Sequence, residues 1–354
     1  MSKLLSIATA GVLAEQSAGV SDSRFPRVDY VELPRLVDAE TIDYSVYDRG
    51  FAGDVMRQIE TQLRSDLYLT TLGWMRSRRN PLVFTWSERA GIPFAFYKRF
   101  FRSKVRFITM FQCWSDRQEA AVSMLGLFAA MDGIVVHCNS MKYNLLRLGV
   151  PETKIHVIPY SIDQSFFSPI AGVDQRRELV VSIGEPRTRD YNSLFRAVDG
   201  LPVELKVAAS GLWYARERAN PPKSSVPDNV TILRHIPQPE LRSFYASAQF
   251  IVLPLLDLVY SAGATSALEA GSMGRAVIAY RSAGIVDYIL DGETGILVEP
   301  GDETALRAAI QYLLANPGEA ARLGQNARQR ITETLNLETY VCNLAELLRN
   351  NLPA

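Results

Sequence analysis

The stretch Tyr260-Ser261-Ala262-Gly263-Ala264-Thr265-Ser266-Ala267-Leu268-Glu269-Ala270-Gly271 has the composition of a loop entering a helix. A helix start leaves backbone N–H groups unpaired and carries partial positive charge, so it holds a diphosphate well. Gly263 and Ala264 let phosphate oxygens approach the backbone, Thr265 and Ser266 add hydroxyl donors, and Glu269 is placed to accept hydrogen bonds from a ribose. An Ala-rich helix packed tightly under a sheet would read the same way, because a lone Gly-rich helix start is a weak motif.

A second group of charges follows the apolar run Leu179–Ile183, in Gly184-Glu185-Pro186-Arg187-Thr188-Arg189-Asp190-Tyr191. Arg187 and Arg189 carry guanidinium groups, which keep their charge and present a fork that suits phosphate oxygens. The bland alternative is a solvated turn with ordinary surface arginines. In the first half, Glu88 follows the run Leu82–Thr85 at its C-terminal end, where open α/β sheets place ligands, and is the acceptor-side candidate. An exposed loop carboxylate without a role is the competing reading. His137, His156 and His235 sit at strand ends or in strand-like runs and read as structural. With no Asp-x-Asp and no His/Cys cluster at ligand spacing, no metal or resident cofactor is expected.

Phe94 to Phe107 interleaves Phe94, Phe96, Tyr97, Phe100, Phe101 and Phe107 with Lys98, Arg99, Arg102, Lys104 and Arg106, and Arg76, Arg78 and Arg79 lie just upstream. Basic residues among aromatics suit an anionic membrane surface or a lipid-pyrophosphate acceptor. A helix with an aromatic buried face and a solvated basic one would produce the same pattern.

These residues need a frame. At 354 residues the chain exceeds what one hydrophobic core usually supports, so two domains with a cleft between them are expected. Short β-rich apolar runs alternate with helical-period stretches, as in parallel sheets built from βαβ units. Strands are expected at Leu4–Thr9, Val28–Leu33, Leu82–Thr85, Val105–Phe111, Gly133–His137 and Ile155–Pro159. A second series is expected at Leu179–Ile183, Glu204–Ala208, Val230–Leu233, Phe250–Leu253, Ala276–Tyr280 and Gly295–Val298. Helices are expected over Asp54–Arg76, Asn139–Leu148, Asp302–Leu314 and Leu337–Asn350, with Ser165–Val173 as the linker. The expected division is 1–165, 166–335 and a terminal helix in 336–354.

Formal net charge is zero with a pI of about 6.9, which gives no general attraction to nucleic acid. The scattered Cys113, Cys138 and Cys342 imply neither a disulfide framework nor a zinc site, and a reducing cytosol is the simplest home. The longest apolar candidate for a membrane span, Ala120–Val136, is broken by Asp132. Residues Lys3–Ala14 have the outline of a signal-peptide core but read better as a first buried strand.

The run Val230–Asp302 resembles the donor-binding domain of glycosyltransferase family four. In that family a strand ending in Pro is followed by a Glu, seven residues, a second Glu, then Ala and an apolar strand. This chain has Val252-Leu253-Pro254, Leu268-Glu269-Ala270 and Gly274-Arg275-Ala276-Val277-Ile278-Ala279, with Asp291-Gly292-Glu293-Thr294-Gly295-Ile296-Leu297-Val298-Glu299-Pro300-Gly301-Asp302 close to the family wording downstream. Leu148–Pro159, followed by Ile162-Asp163, is similar to the strand that leads out of the family's first domain. The resemblance implies the GT-B architecture: two Rossmann-like doubly wound parallel sheets facing a cleft, the terminal helix crossing back to the N-terminal domain.

It also implies roles. Glu269 matches the Glu that binds the nucleotide ribose, while Ser261 stands where the family's first Glu touches the donor sugar, with Asp257 the nearest upstream carboxylate. Arg189 matches, with one residue deleted, the family Lys, which with an Arg neutralises the departing diphosphate. Glu185 replaces the family Arg after Gly184, with Arg187 the stand-in. His235 falls where a loop passes the nucleobase. The implied reaction is retaining transfer of a hexose from a UDP- or GDP-sugar to a hydroxyl of a sugar, glycan or lipid-linked acceptor, in cell-surface polysaccharide or glycolipid synthesis. A two-domain nucleotide-sugar epimerase and a non-catalytic nucleotide-binding partner subunit are the alternatives. The expected location is cytoplasmic, with peripheral contact at the inner membrane surface through Phe94–Phe107.

Overall fold

A computed structural model describes residues 4–11, 25–47, 55, 56, 58, 60, 65–173, 175–209, 226–234, 236 and 238–352. The chain divides into two compact units, the first made of residues 27–159 with the N-terminal strand and 338–354, the second of Tyr160–Leu337. Each holds one six-stranded sheet with parallel pairing throughout.

The first sheet contains β1 (Leu4–Ile7), β2 (Ala39–Ile42), β3 (Leu82–Thr85), β4 (Arg106–Phe111), β5 (Gly133–Val136) and β6 (Ile155–Val157) in the order β2-β1-β3-β4-β5-β6. Its inner strands are mostly apolar, and β1, β3 and β5 are buried throughout, as parallel strands covered on both faces require. The helices that accompany it are α1 (Asp29–Leu36), α2 (Leu67–Arg76), α3 (Glu88–Phe100), α4 (Asp116–Met124) and α5 (Asn139–Arg147).

One expected strand is wrong. Val28–Leu33 lies largely in α1, whose first turn carries Asp29 and Glu32, the acidic residues a helix start favours. The strand comes later, as β2, an edge strand in which only Ile42 is buried, so it carries little apolar signal. Of the long helix expected over Asp54–Arg76, α2 supplies the end; most of the preceding residues lie outside those described.

The second sheet contains β7 (Leu179–Ile183), β8 (Glu204–Ala209), β9 (Val230–Arg234), β10 (Phe250–Leu253), β11 (Ala276–Tyr280) and β12 (Gly295–Val298), in the order β12-β11-β10-β7-β8-β9. The chain winds outward from β7 to β9, then returns to the other side of β7 as β10. That reversal is the topological switch point, outside whose carboxyl ends open α/β sheets bind ligands. The helices are α6 (Tyr191–Val198), α7 (Gln238–Ser247), α8 (Ala264–Ser272), α9 (Glu303–Ala315) and α10 (Pro317–Thr334). Asp302 caps α9 by accepting from the Ala305 amide at 2.8 Å. The expected linker is not one: Phe166 and Phe167 are buried in the core of the second unit.

The last helix, α11 (Leu337–Asn350), belongs from Glu338 onward to the first unit. There Glu338 pairs with Arg27 at 2.7 Å, and the Tyr340 hydroxyl points at the Met110 sulfur. The terminal helix therefore returns to the N-terminal sheet, as the GT-B expectation requires.

Candidate functional site

The switch point of the second unit is closed by an exchange between two loops. The Asp190 amide donates to the Pro254 carbonyl at 2.7 Å, and the Leu256 amide to that of Thr188 at 3.1 Å. Arg189 and Leu255 thus form an antiparallel bridge across the ends of β7 and β10.

This bridge turns the Arg189 side chain inward, where only 6% of the residue remains exposed. Its Nη1 donates to the Thr188 hydroxyl at 2.9 Å, and its Nη2 to the Ile183 carbonyl at 3.2 Å. The guanidinium lies flat on Gly184, whose φ of 144° and missing Cβ both matter. An added Cβ would come within 2.4 Å of Nη2 and 2.6 Å of Nε. Among the described residues no carboxylate forms an ion pair with Arg189, and its buried Nε has no acceptor. Burial lowers its pKa below the usual arginine value, yet arginine stays protonated. A charge taken out of water without a counter-ion is expensive, and its natural complement is an anion that arrives with a ligand.

Facing it is the start of α8. Gly263 holds the N-cap position with φ 85°, and a Cβ there would stand 3.4 Å from Arg189 Nη2 and 2.6 Å from Leu255 Cδ2. The Ala264 amide is bonded to the Ser261 carbonyl, and no side chain caps the helix. By helix geometry the amides of Thr265 and Ser266 lack an intrahelical carbonyl. Thr265 is exposed and Ser266 buried. Arg189, Gly184, Gly263 and the α8 amides are thus gathered at one place, with the fixed positive field that a diphosphate needs. Arg187 sits exposed on the short 3₁₀ turn Pro186–Thr188 that precedes Arg189.

Glu269 lies further along α8, 6% exposed, and accepts a 2.7 Å hydrogen bond from the Tyr245 hydroxyl. Burial raises its pKa to about 7, against the lowering effect of that bond. Tyr245 itself is pushed well above its ordinary value, first by burial and then by the Glu269 charge. Sequence reading did not single out Tyr245; on α7 it looks like one more apolar-face residue, and only the fold reveals that its hydroxyl reaches a carboxylate. Ser261 is half-buried, in a loop that Gly284 approaches so closely that a Cβ would meet the Tyr260 carbonyl at 2.1 Å. Asp257 accepts from the Ala283 amide at 3.3 Å. His235 lies outside the described residues.

In the first unit, Glu88 opens α3 behind its Ser87 cap. It is not the exposed loop carboxylate of the bland reading: it is 3% exposed and accepts from the Gln112 amide at 2.9 Å, linking the ends of β3 and β4. Burial raises its pKa to about 7. His137 is also buried and held near pH 4 by desolvation, with Nδ1 2.9 Å from the Ile158 carbonyl. That is the structural role expected of it.

The family model described as Glycosyl transferases group 1 matches residues 164–330, which fall within the second unit and contain Gly184, Arg189, Gly263 and Glu269. The chain is 28% identical over 201 residues to an MMP alpha-(1->4)-mannosyltransferase of Mycolicibacterium hassiacum, an alignment covering 55% of this chain and 48% of that protein. It is 28% identical over 225 residues to a GDP-mannose-dependent alpha-(1-6)-phosphatidylinositol monomannoside mannosyltransferase of Mycolicibacterium smegmatis, covering 56% and 57%. The chain thus spans about half the length of the curated relatives it matches. Among solved structures, HepE of Anabaena in complex with UDP superposes with a TM-score of 0.71 at 12% identity, covering 98% of this chain and 100% of that one. Sucrose-phosphate synthase from Thermosynechococcus elongatus gives a TM-score of 0.65 at 21% identity, covering 80% and 77%. The fold is GT-B: α/β, with two doubly wound parallel sheets.

Proposed function

We propose that the chain is a glycosyltransferase that moves a hexose from a nucleotide-diphosphate sugar to a hydroxyl of a glycan or lipid-linked acceptor. The observation that carries this is Arg189, a buried guanidinium that pairs with no carboxylate among the described residues, at the uncapped start of α8. In this reading Arg189 and the amides of Thr265 and Ser266 bind the diphosphate, and Glu269 accepts from the ribose hydroxyls. Arg187 adds a second cation from the turn. Ser261, a hydroxyl in place of a carboxylate, contacts the sugar.

The reaction breaks the bond between the anomeric carbon and the diphosphate oxygen, whose electron pair leaves with the diphosphate. A bond from the acceptor oxygen to the anomeric carbon forms on the same face, with retention, and the acceptor proton passes to the departing diphosphate. Arg189 and the helix start stabilise the charge that develops on the leaving group, so no protein nucleophile and no metal is called upon. Names among the relatives support UDP or GDP as the donor's nucleotide: a GDP-mannose-dependent enzyme in one case, a UDP complex in the other. Glu88, buried in the first unit, is the acceptor-side candidate for binding the hydroxyl, whose proton leaves with the diphosphate.

Thermal-shift and calorimetric screening against UDP, GDP and their sugars tests the reading. Binding of one nucleotide series, with transfer or slow hydrolysis of its sugar, supports it. Indifference to every nucleotide sugar would remove it, and conversion of the sugar without an acceptor would point to the epimerase chemistry instead.

A further inference from the structure

The first unit carries an aromatic and basic surface that the donor site does not use. Its rings form a continuous series. Phe107 and Phe94 are fully buried with centroids 4.6 Å apart, Phe94 packs on Trp74 at 5.5 Å, and Trp74 stacks on Phe101 at 5.7 Å. Phe101 meets Phe100 at 5.1 Å, and Phe100 stacks on Phe96 at 5.9 Å. The inner rings belong to the core, but Phe96, Phe100 and Phe101 are 42%, 68% and 60% exposed, and Met75 at the end of α2 is 66% exposed. Large apolar side chains gathered at one exposed place mark an interaction surface rather than scattered surface residues.

The segment that forms it is strongly basic, with Asp132 and Glu40 paired against it from other elements. Between Met75 and Arg106 the chain has nine basic residues and one acidic residue, the buried Glu88. Lys98 is paired with Asp132, and Arg89 with Asp66. Arg78, Arg79, Arg99, Arg102 and Lys104 are exposed and form no ion pair among the described residues.

The end of α3 adds an independent observation. The Ser103 amide bonds to the Lys98 carbonyl and the Arg102 amide to that of Arg99, a helix terminus whose left-handed position is usually filled by glycine. Here Arg102 adopts φ 53°.

We propose that this surface, formed by the ends of α2 and α3 and the loop that follows, docks the first unit onto a bilayer bearing anionic lipids. Phe96, Phe100 and Phe101 enter the interface while Arg78, Arg79, Arg102 and Lys104 meet the headgroups. Among the described residues no helix is long and apolar enough to cross a membrane. It does not depend on the donor-site reading.

Co-sedimentation of the full chain with phosphatidylcholine vesicles, with and without phosphatidylglycerol, tests it at low and physiological salt. Binding to the anionic vesicles that weakens with salt is the expected result. Arg102→Gly should lower it about fivefold while the thermal midpoint stays level or rises, because glycine suits the left-handed position. Phe100→Ser with Phe101→Ser should lower it further, with folding checked by the same melt. No association with anionic vesicles, or equal association with neutral ones, overturns the proposal. So does oligonucleotide binding tighter than vesicle binding and unmoved by the Phe substitutions, which would make this a nucleic-acid surface.

Discussion

The guanidinium of Arg189 lies on the backbone of Gly184 so closely that a single methyl group on that glycine would fall 2.4 Å from Nη2. A five-residue separation in sequence becomes a stacked contact because the bridge to Leu255 folds the turn back over the end of β7.

Gly184→Ala should therefore displace Arg189 while leaving the sheet intact. Overpacking of this kind costs about 1–3 kcal/mol of stability. Nucleotide affinity, read by calorimetry, should fall about tenfold or more, since a displaced charge-assisted contact loses much of its 1.5–3 kcal/mol.

Nucleotide binding should release protons. Free Glu269 titrates near pH 7 because it is buried, and ribose hydroxyls that donate to it favour its ionised form. The bound pKa is then lower than the free one, so affinity rises with pH through about 6 to 7 and levels off above. Titrations of a nucleotide sugar, which has no phosphate titrating in that range, in buffers of different ionisation enthalpy should show close to one proton released at pH 6. Glu269→Gln should abolish the release and weaken binding.

Tyr245→Phe removes the hydroxyl that donates to Glu269 at 2.7 Å. That bond lowers the carboxyl pKa, so its loss should move the proton-release midpoint upward. A buried carboxylate left without its donor should also cost about 1–3 kcal/mol of stability at pH 8.

Glu88 makes a prediction about stability alone. Its folded pKa of about 7 lies above the ordinary 4.5, so the folded state holds a proton that the unfolded chain has lost between those values. Its contribution is favourable below about pH 4.5 and is lost as pH rises to 7. The stability of Glu88→Gln relative to the parent should then increase across that window, by about 2–3 kcal/mol. His137 pulls the opposite way as pH falls from 6.5 towards 4, but it is common to both proteins and cancels in the difference.

Much of this was legible before the fold. Runs such as Phe250-Ile251-Val252-Leu253 are apolar throughout because parallel strands are buried on both faces, and they mark the sheets almost to the residue. The helix start at Gly263 was also readable, since glycine and small residues leave a local trace, while the expectation that Arg189 stands near it came from the family resemblance. What escaped depends on long-range packing. The strand β2 is a half-exposed edge, so its pattern is faint and the helix before it was taken for a strand. Phe166 and Phe167 sit in a Pro- and Gly-containing stretch that reads as a linker, yet they fill the second core. Tyr245 could not be picked out because its partner lies 24 residues away on another helix.

The most direct test of the central claim pairs two measurements on Arg189→Met. If the buried guanidinium exists to meet a diphosphate, an apolar side chain of similar length should raise the thermal midpoint or leave it level, and affinity for nucleotide sugars should fall about thirtyfold or more. A variant that is destabilised yet binds nucleotide sugar as tightly as the parent would show that Arg189 is a structural element, and the diphosphate site would have to be sought elsewhere.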